Sequence, residues 1–150
     1  MPTLYFAYGS NLNREQMAFR CPGSKPVGTA KLLDYQLEFW KHAQVVRTPG
    51  SEVCGALYEI TRADERELDR YESYKPSNLA AGHYQKITIP VITPKGPVEA
   101  MLYVMNPRSS LRPSGKYYDV IVQGYKDWGL DEAPLQQARA RAVAAAILPV

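Results

Sequence analysis

Two short stretches of this chain carry residue types that can hold an anion and move a proton. The first is Tyr8-Gly9-Ser10-Asn11, where a β-rich run stops at three residues that favour turns for different backbone reasons. Successive N–H groups at such a stop can point into one concavity, which suits a carboxylate. The second is Glu72, beside Tyr71 and Tyr74 at the end of a charged segment and the start of a loop-like one. An acid at a helix C-terminus opposes the helix dipole, and aromatic neighbours that displace water raise its pKa. A carboxyl tuned this way serves as a general acid or base. Taken by themselves, the tetrapeptide also fits a plain turn and Glu72 also fits a solvated surface acid.

Other chemistries lack their residues. The chain has no GxGxxG, Walker, GxSxG, HExxH or CxxC pattern, so nucleotide, serine-hydrolase and metal readings go unsupported. Cys21 and Cys54 have no metal-ligand spacing to His42 or His83, and Cys54 lies in an alternating run that makes it a small buried strand thiol. His42 and His83 read as hydrogen-bonded strand or loop residues. Neither a metal nor a cofactor is expected.

Two cysteines are too few for a secreted disulfide framework. The longest apolar run, Ala142 to Leu148, is far short of the ~20 residues that cross a bilayer. A strand-like run beginning almost at Met1 leaves no space for a signal peptide, so a cytoplasmic chain without a membrane partner is expected. Eighteen Lys and Arg against fifteen Asp and Glu form no basic arm or face, which argues against nucleic acid as a partner. Oligomeric state is not legible.

These residues need a scaffold, and 150 residues with 45% hydrophobic and 22% charged side chains fit one globular domain with its own core. Thr3 to Tyr8 reads as a strand, Asn13 as the cap of a short helix to Arg20, and Val27 to Trp40 as a long or bent strand. Arg47 to Ser51 reads as a break before a strand from Val53 to Ile60. Thr61 and Asp64 resemble a capping box for a helix to Tyr71, with Ala63, Leu68 and Tyr71 as its inward stripe. A ten-residue loop over 73–82 follows, then strands Tyr84 to Val91 and Val98 to Met105, with Pro90 at an edge or bulge. Ser114 caps a helix ended by Gly129, and a last helix runs from Asp131 to Ile147. This order is α+β, with a mixed or antiparallel sheet that can close into a small barrel. Eleven tyrosines against three phenylalanines point to a core or cleft whose aromatic groups also hydrogen-bond.

The same residues carry a resemblance. Leu4 to Leu12, LYFAYGSNL, is similar to the opening signature of the γ-glutamylcyclotransferase-like superfamily, which also includes the butirosin-pathway cyclotransferase and plant avirulence-induced proteins. Gly55 to Ile60 and Glu67 to Glu72 resemble the strand and helix that lead to that family's catalytic glutamate. Gly82-His83-Tyr84 resembles the start of its next strand, and Tyr117 to Gly124 with Trp128-Gly129-Leu130 its C-terminal helix. The resemblance implies a small mixed barrel flanked by helices, with one cavity at the Tyr8–Asn11 loop. It implies that a γ-glutamyl amino acid or amine cyclises to 5-oxoproline and releases its amine. Glu72 would shuttle the proton, Tyr8, Gly9, Ser10 and Asn11 would hold the substrate's α-carboxylate, and Tyr84 and Tyr117 would line the pocket. Tyr71 and Tyr74 fall beside these motifs, whereas the tyrosines at 5, 35, 58, 103, 118 and 125 fit core edges. Ser73 stands where the family usually has Gly, in a loop rich in Pro, Asn and Ala, which leaves the leaving group open. A non-catalytic binding or interaction module on the same fold is the alternative.

Overall fold

The computed structural model of the protein describes residues 3–72, 74, 84–105 and 111–147, with backbone alone at 146 and 147. Its strands are β1 (Thr3–Ala7), β2 (Lys25–Trp40), β3 (His42–Ile60), β4 (Tyr84–Thr93) and β5 (Gly96–Met105). Its α-helices are α1 (Arg14–Arg20), α2 (Arg62–Tyr71), α3 (Gly115–Trp128) and α4 (Ala133–Ile147). The strands close into a barrel in the order β1-β3-β2-β4-β5, the mixed α+β barrel with flanking helices expected above. Ser73, the rest of the 73–82 loop except Tyr74, and His83 lie outside the described residues. Among the described residues no helix is long and apolar enough to cross a membrane.

The closure decides where a site can form. β1 pairs antiparallel with β3, from Thr3 opposite Ile60 to Ala7 opposite Ala56, and parallel with β5 at Tyr5 and Met101. Parallel neighbours end at the same mouth, so Ala7 and Met105 finish together. β4 begins there too, with Tyr84 opposite Met105. The β2–β3 hairpin runs on past this mouth to its turn at Lys41, which takes a left-handed φ of 69°. Four chain segments therefore converge on one end of the barrel.

The expected break at Arg47 to Ser51 is instead an excursion within β3. Leu33 pairs with Glu52 and Tyr35 with Arg47, so the turn-forming residues between them bulge out against Asp34 alone. Asp34 adopts φ 65°, and its Oδ1 accepts the Gly50 N–H at 3.0 Å where Gly50 takes φ 88°. Pairing resumes beyond the bulge because Val45 and Ala43 are apolar and buried, and this carries the strand back to His42.

The caps read from sequence form. Asn13 Oδ1 accepts the Gln16 N–H at 3.0 Å, Ser114 Oγ accepts the Tyr117 N–H at 3.2 Å, and Gly129 closes α3 at φ 65°. Thr61 and Asp64 make the full capping box, each side chain on the other's N–H at 3.0 Å. The inward stripe of α2 differs from expectation. Leu68 is fully buried, but Ala63 is exposed and Tyr71 is 42% exposed. Asp64 is buried in their place because its second oxygen accepts the Gly23 N–H at 3.1 Å, tying α2 to the chain that follows α1.

Candidate active site

The end of β1 is fixed before any ligand is considered. The chain leaves the strand at Ala7 and makes one 3₁₀ turn over Ser10–Leu12, whose own bonds begin with the Leu12 N–H on the Gly9 carbonyl at 3.0 Å. The N–H groups of Gly9, Ser10 and Asn11 precede that first bond, as helix-start donors do. α3 holds the turn from behind. Trp128 Nε1–H donates to the Leu12 carbonyl at 2.9 Å, and Asn13 Nδ2 donates to the Val120 carbonyl at 3.3 Å. α3 comes this close because residue 124 is glycine; a Cβ there would stand 2.6 Å from the Asn13 nitrogen.

Glu72 faces this turn across a cavity of about 140 Å³. All the residues singled out from sequence for the site, Tyr8, Gly9, Ser10, Asn11, Glu72, Tyr84 and Tyr117, line it. Glu72 closes the last turn of α2, its N–H bonding to the Leu68 carbonyl at 2.8 Å, and part of the residue stays exposed while its carboxyl is desolvated. Burial pushes that carboxyl up to about 8, against an opposing pull from Arg20. The tyrosines around it move the same way. Burial first, and the Glu72 charge after it, raise Tyr8 far above the usual phenol value, so it stays a neutral hydroxyl.

Each hydroxyl has a place. Tyr8 donates to the Tyr103 carbonyl at 2.5 Å. Tyr84 donates to the Ala43 carbonyl at 3.3 Å while Tyr117 accepts the Ala43 N–H at 3.0 Å, so two site tyrosines grip one residue of β3 by the peptide groups on either side of it. Gln44, buried beside it, bonds the Met105 backbone through both ends of its amide at 3.2 and 2.7 Å. Those bonds lock the β3 extension to the end of β5 where the two strands have no ladder. Gly9 fits under this arm narrowly; a Cβ would sit 3.1 Å from that of Ala43.

Sequence reasoning missed part of the lining. Tyr5 and Tyr103, expected at core edges, both face the cavity, with Tyr5 Oη accepting from Asn11 Nδ2 at 3.0 Å and Tyr103 Oη donating to Asp69 at 2.6 Å. Strand alternation puts Tyr5 opposite in sense to Tyr8, and both reach the cavity only because the chain leaves β1 between them. Tyr71 lines it as expected, sharing a hydrogen bond with Ser10 Oγ at 2.9 Å. Tyr74 is not among the lining residues; its ring meets Tyr103 edge-on at 6.4 Å with Lys86 4.7 Å above it. His42 reaches the rim, edge-on to Tyr117 at 5.1 Å.

The cysteines stand apart. Cys54 is a strand thiol whose pKa burial raises, and Cys21, pushed up to about 12 by burial, donates to the Asp64 carbonyl at 3.6 Å. Neither is held as a thiolate, the form a nucleophile needs. Among the described residues no three His, Cys, Asp or Glu side chains cluster as metal ligands do.

Comparison with known proteins points the same way. The family model described as gamma-glutamyl cyclotransferase, AIG2-like, matches residues 5–128. A Bos taurus protein named gamma-glutamylcyclotransferase is 33% identical over 140 residues, covering 85% of this chain and 72% of its own. Its Homo sapiens counterpart is 32% identical with the same coverage. A solved structure titled gamma-glutamyl cyclotransferase superposes with a TM-score of 0.77 at 28% identity, over 96% of this chain and 88% of that one.

Proposed function

The chain belongs to the AIG2-like gamma-glutamyl cyclotransferase family and is an enzyme of that type, and from this premise we propose that Glu72 shuttles the protons in cyclising a γ-glutamyl amino acid or γ-glutamyl amine. The observation that carries the reading is a desolvated carboxyl facing, in one cavity, a turn whose leading N–H groups are not used by the turn itself.

The substrate's α-carboxylate rests on the N–H groups of the Tyr8–Asn11 loop, which places its α-ammonium toward Glu72. Glu72 takes a proton, the amine attacks the γ-carbonyl of the same molecule, and the amide C–N bond breaks as the lactam C–N bond forms. Of the three ammonium protons the lactam keeps one, and the departing nitrogen gains the other two. A group that cycles between carboxylate and acid closes that balance with no water or oxidant consumed. Proton transfer is most efficient between groups of similar pKa. The substrate's α-amine, beside its own carboxylate, is more basic than a peptide N-terminus at about 7.7–8, and burial brings Glu72 up toward it, to about 8. Intramolecular attack needs no protein nucleophile. Holding the substrate bent is itself worth about 7–11 kcal/mol, and Tyr5 and Tyr117, whose hydroxyls accept in the bonds above, keep a proton to donate for that work.

The test is release of 5-oxoproline from a panel of γ-glutamyl dipeptides, γ-glutamyl-ε-lysine and γ-glutamyl amines. Release from at least one supports the reading and names the leaving group. Binding without release from any would make the chain a binding module.

A further inference from the structure

Arg20, the last residue of α1, is not among the residues that line the cavity, yet it touches two that are. One guanidinium N–H donates to Asn11 Oδ1, and the guanidinium carbon sits 3.5 Å from the centre of the Tyr71 ring. Both contacts continue inward. Asn11 passes its other amide end to Tyr5 Oη, and Tyr71 shares its hydroxyl with Ser10. α1 and α2 otherwise meet through few residues, so this planar cation adds a second link between the loop and the end of α2 beside the Ser10–Tyr71 hydrogen bond. Among the described residues none of the ion pairs includes Arg20.

We propose that Arg20 is a positioning residue: stacked on Tyr71 and bonded to Asn11, it fixes the end of α2, and with it the Glu72 carboxyl, against the Tyr8–Asn11 loop. This rests on the reading of Glu72 as the proton shuttle. The guanidinium suits the task because it stacks in plane and bonds at its edge at once, which an ammonium cannot do. Its charge has a second effect. The groups facing Glu72 from other elements are Tyr5, Tyr8, Tyr84, Tyr103, Tyr117 and His42, and the tyrosines remain neutral. Lys86, 5.9 Å from the centre of the Tyr103 ring, is paired with Glu65 and Asp69, whereas Arg20 draws the Glu72 pKa down while burial drives it up. Arg20 therefore sets both where the carboxyl stands and how much of it is ionised at neutral pH.

The experiment follows 5-oxoproline formation from pH 6 to 9.5 for wild type, Arg20→Met, Arg20→Lys, Glu72→Gln and the Glu72→Gln/Arg20→Met double variant, with thermal melts alongside. In Arg20→Met the acid limb of kcat/KM moves to higher pH, and the value at pH 7 falls on the order of tenfold. Arg20→Lys returns the limb to the wild-type position while kcat stays reduced, because charge is restored and stacking is not. On the Glu72→Gln background, Arg20→Met costs less than about twofold, since its effect runs through the missing group. An unmoved limb in folded Arg20→Met, or a full additional loss in the double variant, overturns the proposal and leaves the shuttle intact. Wild-type turnover in Glu72→Gln overturns the shuttle and this proposal with it. If Arg20→Met does not fold, Arg20→Lys decides: a wild-type limb with lowered kcat supports the role, and unchanged kcat refutes it.

Discussion

Replacing Glu72 by Gln should make this protein more stable at alkaline pH, the reverse of what removing a carboxylate usually does. An ordinary carboxyl titrates at 4.5 and would do so in the unfolded chain, whereas burial in the fold raises Glu72 to about 8. Between those two values the native state keeps a proton that the unfolded state has lost. Stability therefore falls as pH rises through that window, and the loss is complete above the folded value. At about 1.4 kcal/mol for each tenfold change in proton activity, the full interval corresponds to about 5 kcal/mol. Glu72 is partly exposed and the cavity opens to solvent, so about 2–5 kcal/mol is the expected range. Gln has the same shape and no charge to bury. Urea unfolding of wild type and Glu72→Gln at matched pH from 5 to 9 measures the difference directly. The gap between the two should widen in favour of Gln up to about pH 8 and then level off. Parallel curves, with a gap constant within about 0.5 kcal/mol, would mean that the carboxyl is solvated and that the matched proton transfer has no basis.

Two further substitutions test how the site is held. Gly124→Ala forces a methyl group against backbone atoms of Leu12 and Asn13, which cannot swing aside, so chemical denaturation should show a loss of about 2–3 kcal/mol and KM should rise as the turn shifts. Asp64→Ala removes the side-chain half of the capping box and leaves the Thr61 and Gly23 N–H groups without that carboxylate, a cost of about 2–3 kcal/mol read from the urea midpoint. A loss below about 0.5 kcal/mol would contradict the close approach at Gly124 in the first case and the Asp64 hydrogen bonds in the second.

What could be read from the sequence was local. The Asn13 and Ser114 caps, the Thr61–Asp64 box and the Gly129 stop each depend on residues a turn apart, and all of them form. Glu72 was legible because a carboxyl at a helix end beside aromatics is locally unfavourable. The rest was set by pairings distant in sequence. Nothing near Arg47 to Ser51 says that the opposite strand will offer Asp34 to Gly50 and let β3 continue. Tyr5 and Tyr103 were assigned to core edges because alternation describes faces without saying which one looks on a cavity; the β1–β5 closure decides that. Tyr74 neighbours Glu72 in sequence, yet its ring turns to Tyr103. Arg20 gave no signal at all, since a basic residue at the end of a short helix is ordinary and its partners Asn11 and Tyr71 come from two other segments.

The central claim is that one carboxyl moves the protons of an intramolecular amide exchange. Its most direct measurement is 5-oxoproline formation by Glu72→Gln at pH 8, with binding of the same γ-glutamyl substrate followed by calorimetry. Turnover should fall at least ~10²-fold with affinity within about threefold of wild type, in a protein that is folded and no less stable. Wild-type turnover in that variant would contradict it.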